Sequence, residues 1–225
     1  MSQVYFRRHD LVWLDPAMHS AWFASDGEAD PARTWIKRGF PLVVARQTED
    51  HACLSDQIIL GFTLPSAPVR TRVSLRANRA AIIRHARPLL LADAIDHAPK
   101  SWRDSLKLLH VLFTNTVTEA RTYGSLSSQI FTGMNYLDEK SDLDLLLECG
   151  EITKLRELLL ALESFSPNHP RLDGEIVFPS GWAVAWREFA VALRNGVPRK
   201  VLAKSDREIS LVSVEDLNQD LLTGA

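Results

Sequence analysis

A chain of 225 residues can bury a sizeable core and divide it between two units of ordinary size. A formal charge of -2 and a pI near 6.4 exclude a general electrostatic pull toward nucleic acid or an anionic membrane, so a polyanion must be met by local clustering. Cys53 and Cys149, far apart and without C-x-x-C spacing, exclude a disulfide scaffold or a zinc module and suit a reducing cytoplasm.

At the start of the chain Arg7, Arg8, His9 and Asp10 interrupt the apolar residues and leave no signal-peptide core, and no uncharged apolar run is long enough to cross a bilayer. The expectation is an unexported cytoplasmic protein with no membrane partner. Leu11–Leu14, Pro41–Ala45 and Ile58–Phe62 read as short strands separated by Pro, Gly and Asp signals. From Val69 to Arg76 apolar and polar residues alternate, which predicts a strand with one cationic face. Arg70, Arg72, Arg76, Arg79, Arg84 and Arg87 fall in this region without an acid among them. They are candidates for gripping phosphates or an acidic protein surface, Arg72 foremost, against the plainer reading of a solvated face. These elements make a β-rich N-terminal domain over residues 1–90.

A second domain is expected over residues 98–225. Ser101 as N-cap, with Asp104 three positions on and Leu106, Leu109, Leu112 and Phe113 beyond, predicts a helix leading directly into Gly124-Ser125. A short helical piece, residues 126–131, stops near Gly133, and a polar loop delivers the chain to Ser141-Asp142-Leu143-Asp144-Leu145-Leu146. Residues 152–162 read as an amphipathic helix, 171–178, 182–186, 201–204 and 208–212 as strands, and 188–194 as a helix closed by Asn195-Gly196. The fold class is α+β, with a mixed sheet and flanking helices in the C-terminal half.

Side chains alternate across a strand, so Asp142 and Asp144 share a face, with Cα atoms roughly 7 Å apart, while Leu143, Leu145 and Leu147 face a core. Neighbouring carboxylates repel, and a divalent cation such as Mg²⁺ is one reason to keep them together; solvated acids on an edge strand are the plainer alternative. At Gly124-Ser125 glycine lets backbone approach a phosphate, serine offers a hydroxyl, and the following helix presents free N–H groups. A phosphate-binding turn ahead of a carboxylate strand is the order used in metal-dependent nucleotidyl transfer. A further acid is expected from Asp173 or Glu175, two apart on one face, with an Asp-Gly hairpin turn as the alternative. The spacing does not choose between them; Asp173 is preferred for a third metal carboxylate because it stands at the start of its strand. Lys204 and Lys200 are candidates for steadying a leaving diphosphate. The histidines show no metal spacing, and Trp102, Trp182 and Trp186 read as core.

The chain resembles the malonate decarboxylase holo-acyl carrier protein synthase family, the phosphoribosyl-dephospho-CoA transferases. The resemblance lies in Gly124-Ser125-Leu126, Gln129, Phe131-Thr132-Gly133, Tyr136-Leu137 and Ser141–Leu146. It extends to Arg8–Leu14, Gly39 with Pro41–Val44, Asp173-Gly174-Glu175, Ala183–Glu188, Val201-Leu202 and Lys204-Ser205. Ser128 departs from the pattern, where tryptophan is expected. The resemblance implies a DNA polymerase β-like nucleotidyltransferase fold in the C-terminal half. It also implies transfer of the phosphoribosyl-dephospho-CoA group from 2'-(5''-triphosphoribosyl)-3'-dephospho-CoA to a serine of the apo acyl carrier protein subunit of malonate decarboxylase. Diphosphate is released, and nucleic acid is not a partner. Two alternatives stay open at this point: a nucleotidyltransferase using ATP on a small molecule or RNA end, and a nucleotide-binding module without catalysis.

Overall fold

The chain divides into one unit of Met1–Pro88 with Asp206–Glu208 and another of Leu89–Ser205 with Ile209–Ala225. The computed structural model describes residues 5–48, 56–65, 71–117, 119–165, 170–194 and 200–223. It is α+β, with a β-rich N-terminal sheet and a mixed C-terminal sheet flanked by helices.

In the first unit β1 (Leu11–Leu14), β2 (Trp22–Ala24), α1 (Asp26–Lys37), β3 (Leu42–Val44), β4 (Gln57–Leu64), β5 (Thr71–Asn78) and β6 (Ile82–Ala86) follow in order. The strands pair antiparallel as β2-β5-β4-β3-β1-β6. Along β5 Val73, Leu75 and Ala77 are buried while Arg72, Ser74 and Arg76 are exposed, because each successive side chain changes face. Helix α1 was not anticipated: Gly27 and Pro31 read as breakers, yet Ala32, Trp35 and Ile36 form an apolar stripe that tertiary contact can hold. Trp35 stacks on Phe62 with ring centroids 4.2 Å apart and donates its Nε1–H to the Pro41 carbonyl at 2.9 Å. That packing stabilises a helix whose own propensity is poor.

The second unit contains β7 (Leu89–Leu90), α2 (Leu91–Ala94), α3 (Lys100–Phe113), β8 (Glu119–Thr122), α4 (Gly124–Thr132), β9 (Asp142–Glu148) and α5 (Ile152–Ser164). These are followed by β10 (Arg171–Val177), β11 (Ala183–Ala185), α6 (Trp186–Arg194), β12 (Lys200–Lys204), β13 (Ile209–Ser213) and α7 (Val214–Thr223). The sheet order is β13-β12-β11-β10-β9-β8-β7, and only the β9–β10 pair is parallel among the described pairs. A parallel pair needs a crossover, which α5 supplies. Leu143, Leu145 and Leu147 of β9 join Leu106, Leu109 and Phe113 of α3 and Leu155, Leu158 and Leu162 of α5 in one core. Each fully buried leucine contributes roughly 1.5–3 kcal/mol of transfer free energy. Trp102 and Trp186 are buried in that core, and Trp182 packs against it.

Three local expectations are corrected. Pro99 is the N-cap of α3, and Ser101 lies inside the first turn, since proline tolerates a helix start where no N–H partner is needed. Helix α3 does not lead directly into Gly124-Ser125; β8 intervenes and pairs antiparallel with β9. Asp173-Gly174 is not a hairpin turn but the middle of β10, where Gly174 has φ 126° and a Cβ would stand 2.0 Å from the Leu145 carbonyl oxygen. Asn195-Gly196, expected to close α6, lies outside the described residues.

Candidate active site

Strand β9 is interior, flanked by β8 and β10, so its acids are not those of an edge strand. The parallel register sets Arg171 beside Asp142, Asp173 beside Asp144 and Glu175 beside Leu146. Register partners share a face and adjacent strands lie about 4.8 Å apart, which brings the Asp144 and Asp173 side chains together. Asp142, Asp144 and Asp173 are half-buried at the start of the two strands, whereas Leu146 and Glu175 further along are buried. The polar face is therefore a shallow site at one end of the parallel pair.

Gly124 and Ser125 begin α4, and Gly124 takes φ 65°. A Cβ at Gly124 would meet Oδ2 of Asp144 at 2.0 Å, a closeness only glycine permits. The approach is secured from β8: the Thr122 hydroxyl donates to the Asp144 carbonyl at 3.0 Å and the Tyr123 N–H donates to it at 3.2 Å. The first N–H groups of a helix have no intrahelical acceptor, so α4 opens an anion-favouring end beside a carboxylate. An anion bound at that end would lie against the carboxylate and would need a cation between the two.

Downstream of α4, Gly133 ends the helix with φ 69° and its N–H on the Gln129 carbonyl. The Gln129 Oε1 accepts the Tyr136 N–H at 3.1 Å and the Leu137 N–H at 3.2 Å. Ser141 and Asp138 then exchange hydrogen bonds, the Ser141 hydroxyl donating to Asp138 Oδ1 at 3.0 Å and accepting the Asp138 N–H at 2.9 Å. One glutamine side chain thus ties the helix after the Gly-Ser turn to the loop that enters the acidic strand.

Arg171 escaped the sequence reading as a site residue. It grips Asp142, Nε donating to Oδ1 at 2.7 Å and Nη2 to Oδ2 in a second, short contact. The bidentate hydrogen bond holds the Asp142 carboxyl below the usual carboxylate range against the opposing effect of burial, and the charges of Arg171 and Arg187 act in the same direction. The alternation that paired Asp173 with Glu175 also put Arg171 on their face, and that was the available signal. Glu175 is 4% exposed and bonded by Lys204 Nζ at 3.0 Å. Lys204 is thereby fixed over the strand next to the acids, and Glu175 is committed to an ammonium rather than open to a substrate proton.

Mg²⁺ suits the donor set. Among the described residues no group of three or more His, Cys, Asp or Glu side chains forms a protein-only metal cage. Mg²⁺ is ordinarily held by one or two carboxylates plus substrate phosphates and water, and Asp142 and Asp144 are hard oxygen donors, with the missing Cβ of Gly124 letting the start of α4 lie against the Asp144 carboxylate. Asp173 Oδ1 accepts its neighbour Gly174 N–H at 2.8 Å, which orients that carboxylate within its own strand.

The N-terminal arginines are divided by the fold. Arg72 and Arg76 are exposed on β5. Arg84 instead lies over the Trp13 ring at 4.2 Å, Arg79 over Phe6 at 5.3 Å, and Arg87 Nε pairs with buried Asp10 at 3.3 Å. Among the described arginines a single phosphate-gripping face is therefore not formed, and Arg70 lies outside the described residues.

Comparison with known proteins matches residues 90–215 to the family described as phosphoribosyl-dephospho-CoA transferase MdcG C-terminal domain, and residues 7–88 to the corresponding N-terminal domain. The chain belongs to the phosphoribosyl-dephospho-CoA transferase family. It is 35% identical over 198 residues to the phosphoribosyl-dephospho-CoA transferase of Xanthomonas campestris pv. campestris (strain 8004), covering 88% of this chain and 89% of that protein. It is 33% identical over 207 residues to that of Xanthomonas euvesicatoria pv. vesicatoria (strain 85-10), covering 91% and 93%. A relative of the same name in Bradyrhizobium diazoefficiens is 32% identical over 209 residues, covering 91% and 89%. No solved structure matches the chain. As a phosphoribosyl-dephospho-CoA transferase the chain is an enzyme, and no helix among its described residues is long and apolar enough to cross a membrane.

Proposed function

We propose that this transferase moves the phosphoribosyl-dephospho-CoA group from 2'-(5''-triphosphoribosyl)-3'-dephospho-CoA to a serine of the apo acyl carrier protein subunit of malonate decarboxylase, with Mg²⁺ as cofactor. Transfer of the dephospho-CoA-derived group to an acyl carrier protein follows from family membership. The malonate decarboxylase subunit, the metal, the roles of the residues and a cytoplasmic location are the finer parts of the proposal. The observation that supports it is the closeness of Gly124 to the Asp144 carboxylate, the arrangement that a phosphate-binding turn beside a metal-holding strand requires.

The carrier serine oxygen bonds to the α-phosphorus of the triphosphoribosyl group, the bond from that phosphorus to the diphosphate breaks, and the serine proton is lost to a carboxylate. Asp142 and Asp144 would hold Mg²⁺, with Asp173 completing the acidic face. Bound there, the cation neutralises charge on the triphosphate oxygens. Asp173 is favoured over Glu175 as the proton acceptor, since Asp173 is half-buried at the start of its strand whereas Glu175 is buried as well as paired with Lys204. Gly124, Ser125 and the start of α4 receive the diphosphate end, and Lys204, held by Glu175, offers it a positive charge. Arg171 keeps Asp142 ionised and aimed. Arg72, exposed on β5, is assigned to acidic groups of donor or carrier.

The test is labelling of apo carrier read by intact mass. Asp142→Asn and Asp144→Asn should each lower the rate on the order of 10²–10⁴ with little loss of fold, because catalysis of this kind is positioning and electrostatics. Full activity in either variant would overturn the metal assignment. ATP offered in place of the CoA-derived triphosphate tests the adenylyl-transfer alternative, and labelling by ATP alone would replace the proposed donor.

A further inference from the structure

A cavity of about 810 Å³ lies where the starts of β9 and β10 meet α6 and the C-terminal end of α5. That volume is in the range of roughly 300–1,000 Å³ usual for sites that enclose a small organic ligand. Leu162, Leu172, Trp186 and Ala190 give it an apolar floor. Its rim carries Lys140, Arg171, Arg187 and Arg194 against the acids Glu139, Asp142 and Glu163. Two of the rim cations are already committed, Arg171 to Asp142 and Arg194 to Glu163 at 2.8 Å. Lys140 and Arg187 are left to face a ligand; neither forms a close ion pair among the described residues, Arg187 acting on Asp142 only through its charge, and Glu139 is the remaining acid at the mouth. Arg187 is held in place without being neutralised, its guanidinium 4.4 Å from the Trp186 ring centroid and its Nη2 donating to the Leu172 carbonyl at 2.8 Å.

The cavity reaches Asp142 but not Gly124, so it opens on the opposite end of the acidic pair from the diphosphate turn. A donor reacting between those ends must extend its non-reacting part toward the cavity. That part carries a diphosphate joined to a long, uncharged amide arm, and Lys140 and Arg187 over an apolar floor complement both. We propose that this cavity binds the dephospho-CoA portion of the donor, with the diphosphate at Lys140 and Arg187 and the pantetheine arm over Trp186 and Ala190. The inference rests on the reading of the donor given above.

Calorimetric titration with dephospho-CoA, which lacks the triphosphoribosyl group, separates this site from the chemistry. Val191→Trp places a ring at the lip from a residue 47% exposed, and Lys140→Glu reverses a charge on an exposed loop; circular dichroism melts verify that each variant folds. Wild-type protein should bind dephospho-CoA, and each variant should bind it about tenfold or more weakly, as expected for loss of a charge-assisted contact or of the space itself. In carrier labelling, KM for the full donor should rise by about the same factor while kcat moves far less. Absence of binding to wild type, or equal binding by wild type and both variants, overturns the cavity assignment even where carrier labelling proceeds. Dephospho-CoA binding that the variants weaken, in a wild-type protein that labels no carrier, upholds the cavity and removes the proposed reaction instead.

Discussion

Gly124 stands so close to Asp144 that a Cβ added to the glycine would fall 2.0 Å from the carboxylate Oδ2 and 2.8 Å from its Cγ. The clashing atoms belong to the Asp144 side chain, which can give way only by turning its carboxylate off the face it shares with Asp173. Gly124→Ala should therefore lower carrier labelling by at least about 10²-fold while costing only about 1–3 kcal/mol of stability through the positive φ. Stopped labelling with intact-mass readout and a denaturant melt give the two numbers; a fully active alanine variant would show that the turn and the carboxylate do not act together.

Gly174 offers the contrasting case. Its missing Cβ faces backbone, the Leu145 carbonyl oxygen at 2.0 Å, and φ is 126°. No side chain can rotate away, so Gly174→Ala must part β9 from β10, and the core that holds Leu143 and Leu145 goes with it. A loss above about 3 kcal/mol, or insoluble protein, is expected in a denaturant melt, and a variant within about 1 kcal/mol of wild type would contradict the strand contact.

The pair Arg171–Asp142 predicts a pH dependence. The folded Asp142 carboxyl is held below its ordinary value, chiefly by the Arg171 hydrogen bond. A depressed carboxylate adds stability that is fully present above the unfolded value, about 4, and is lost as pH falls through the folded value. Arg171→Ala should lower the melting temperature at neutral pH, and the gap to wild type should close progressively below about pH 4. A gap independent of pH would mean that Arg171 acts through packing. At neutral pH Asp142 remains ionised, so an acidic limb in the activity profile is not expected from it.

Gln129 joins α4 to the loop entering β9 through two backbone N–H groups. Each such bond is worth about 0.5–1.5 kcal/mol net. Gln129→Ala should cost about 1–2 kcal/mol and reduce kcat roughly tenfold with KM little changed, because the residue orients the acids without touching substrate. Gln129→Glu, which keeps an acceptor oxygen, should recover most of the loss; failure of that rescue would refute a positioning role.

Metal removal should stop catalysis and spare the fold. No protein-only cage of three or more ligands exists among the described residues, and the core beneath the acids is leucine-rich. EDTA should abolish labelling, Mg²⁺ should restore it, and the thermal melt should be superimposable with and without chelator. A large drop in melting temperature on chelation would point to a structural ion.

Much of the second unit could be read from pattern, because its elements are long and regular. Leu155, Leu158, Leu159 and Leu162 recur at helical spacing, and leucine alternates with aspartate at the start of β9, so local periodicity alone separates their buried and exposed faces. Helix α1 resisted such reading since Gly27 and Pro31 oppose it locally, and β8 since Glu119–Thr122 has no apolar alternation. The C-terminal helix α7 went unread because its stripe, Val214, Leu217 and Leu221, is short and adjoins the apolar residues of β13.

What the sequence by itself determined is which side chains share a face, since that depends only on the repeat of helix or strand. Asp142 with Asp144, and Arg171 with Asp173 and Glu175, are settled in this way. Which faces meet was decided by the tertiary structure. The parallel register of β9 and β10 sets Asp173 beside Asp144 and Arg171 beside Asp142, and burial hands Glu175 to Lys204. Register and burial come from cooperative packing of residues distant in the chain, a quantity that no local repeat encodes.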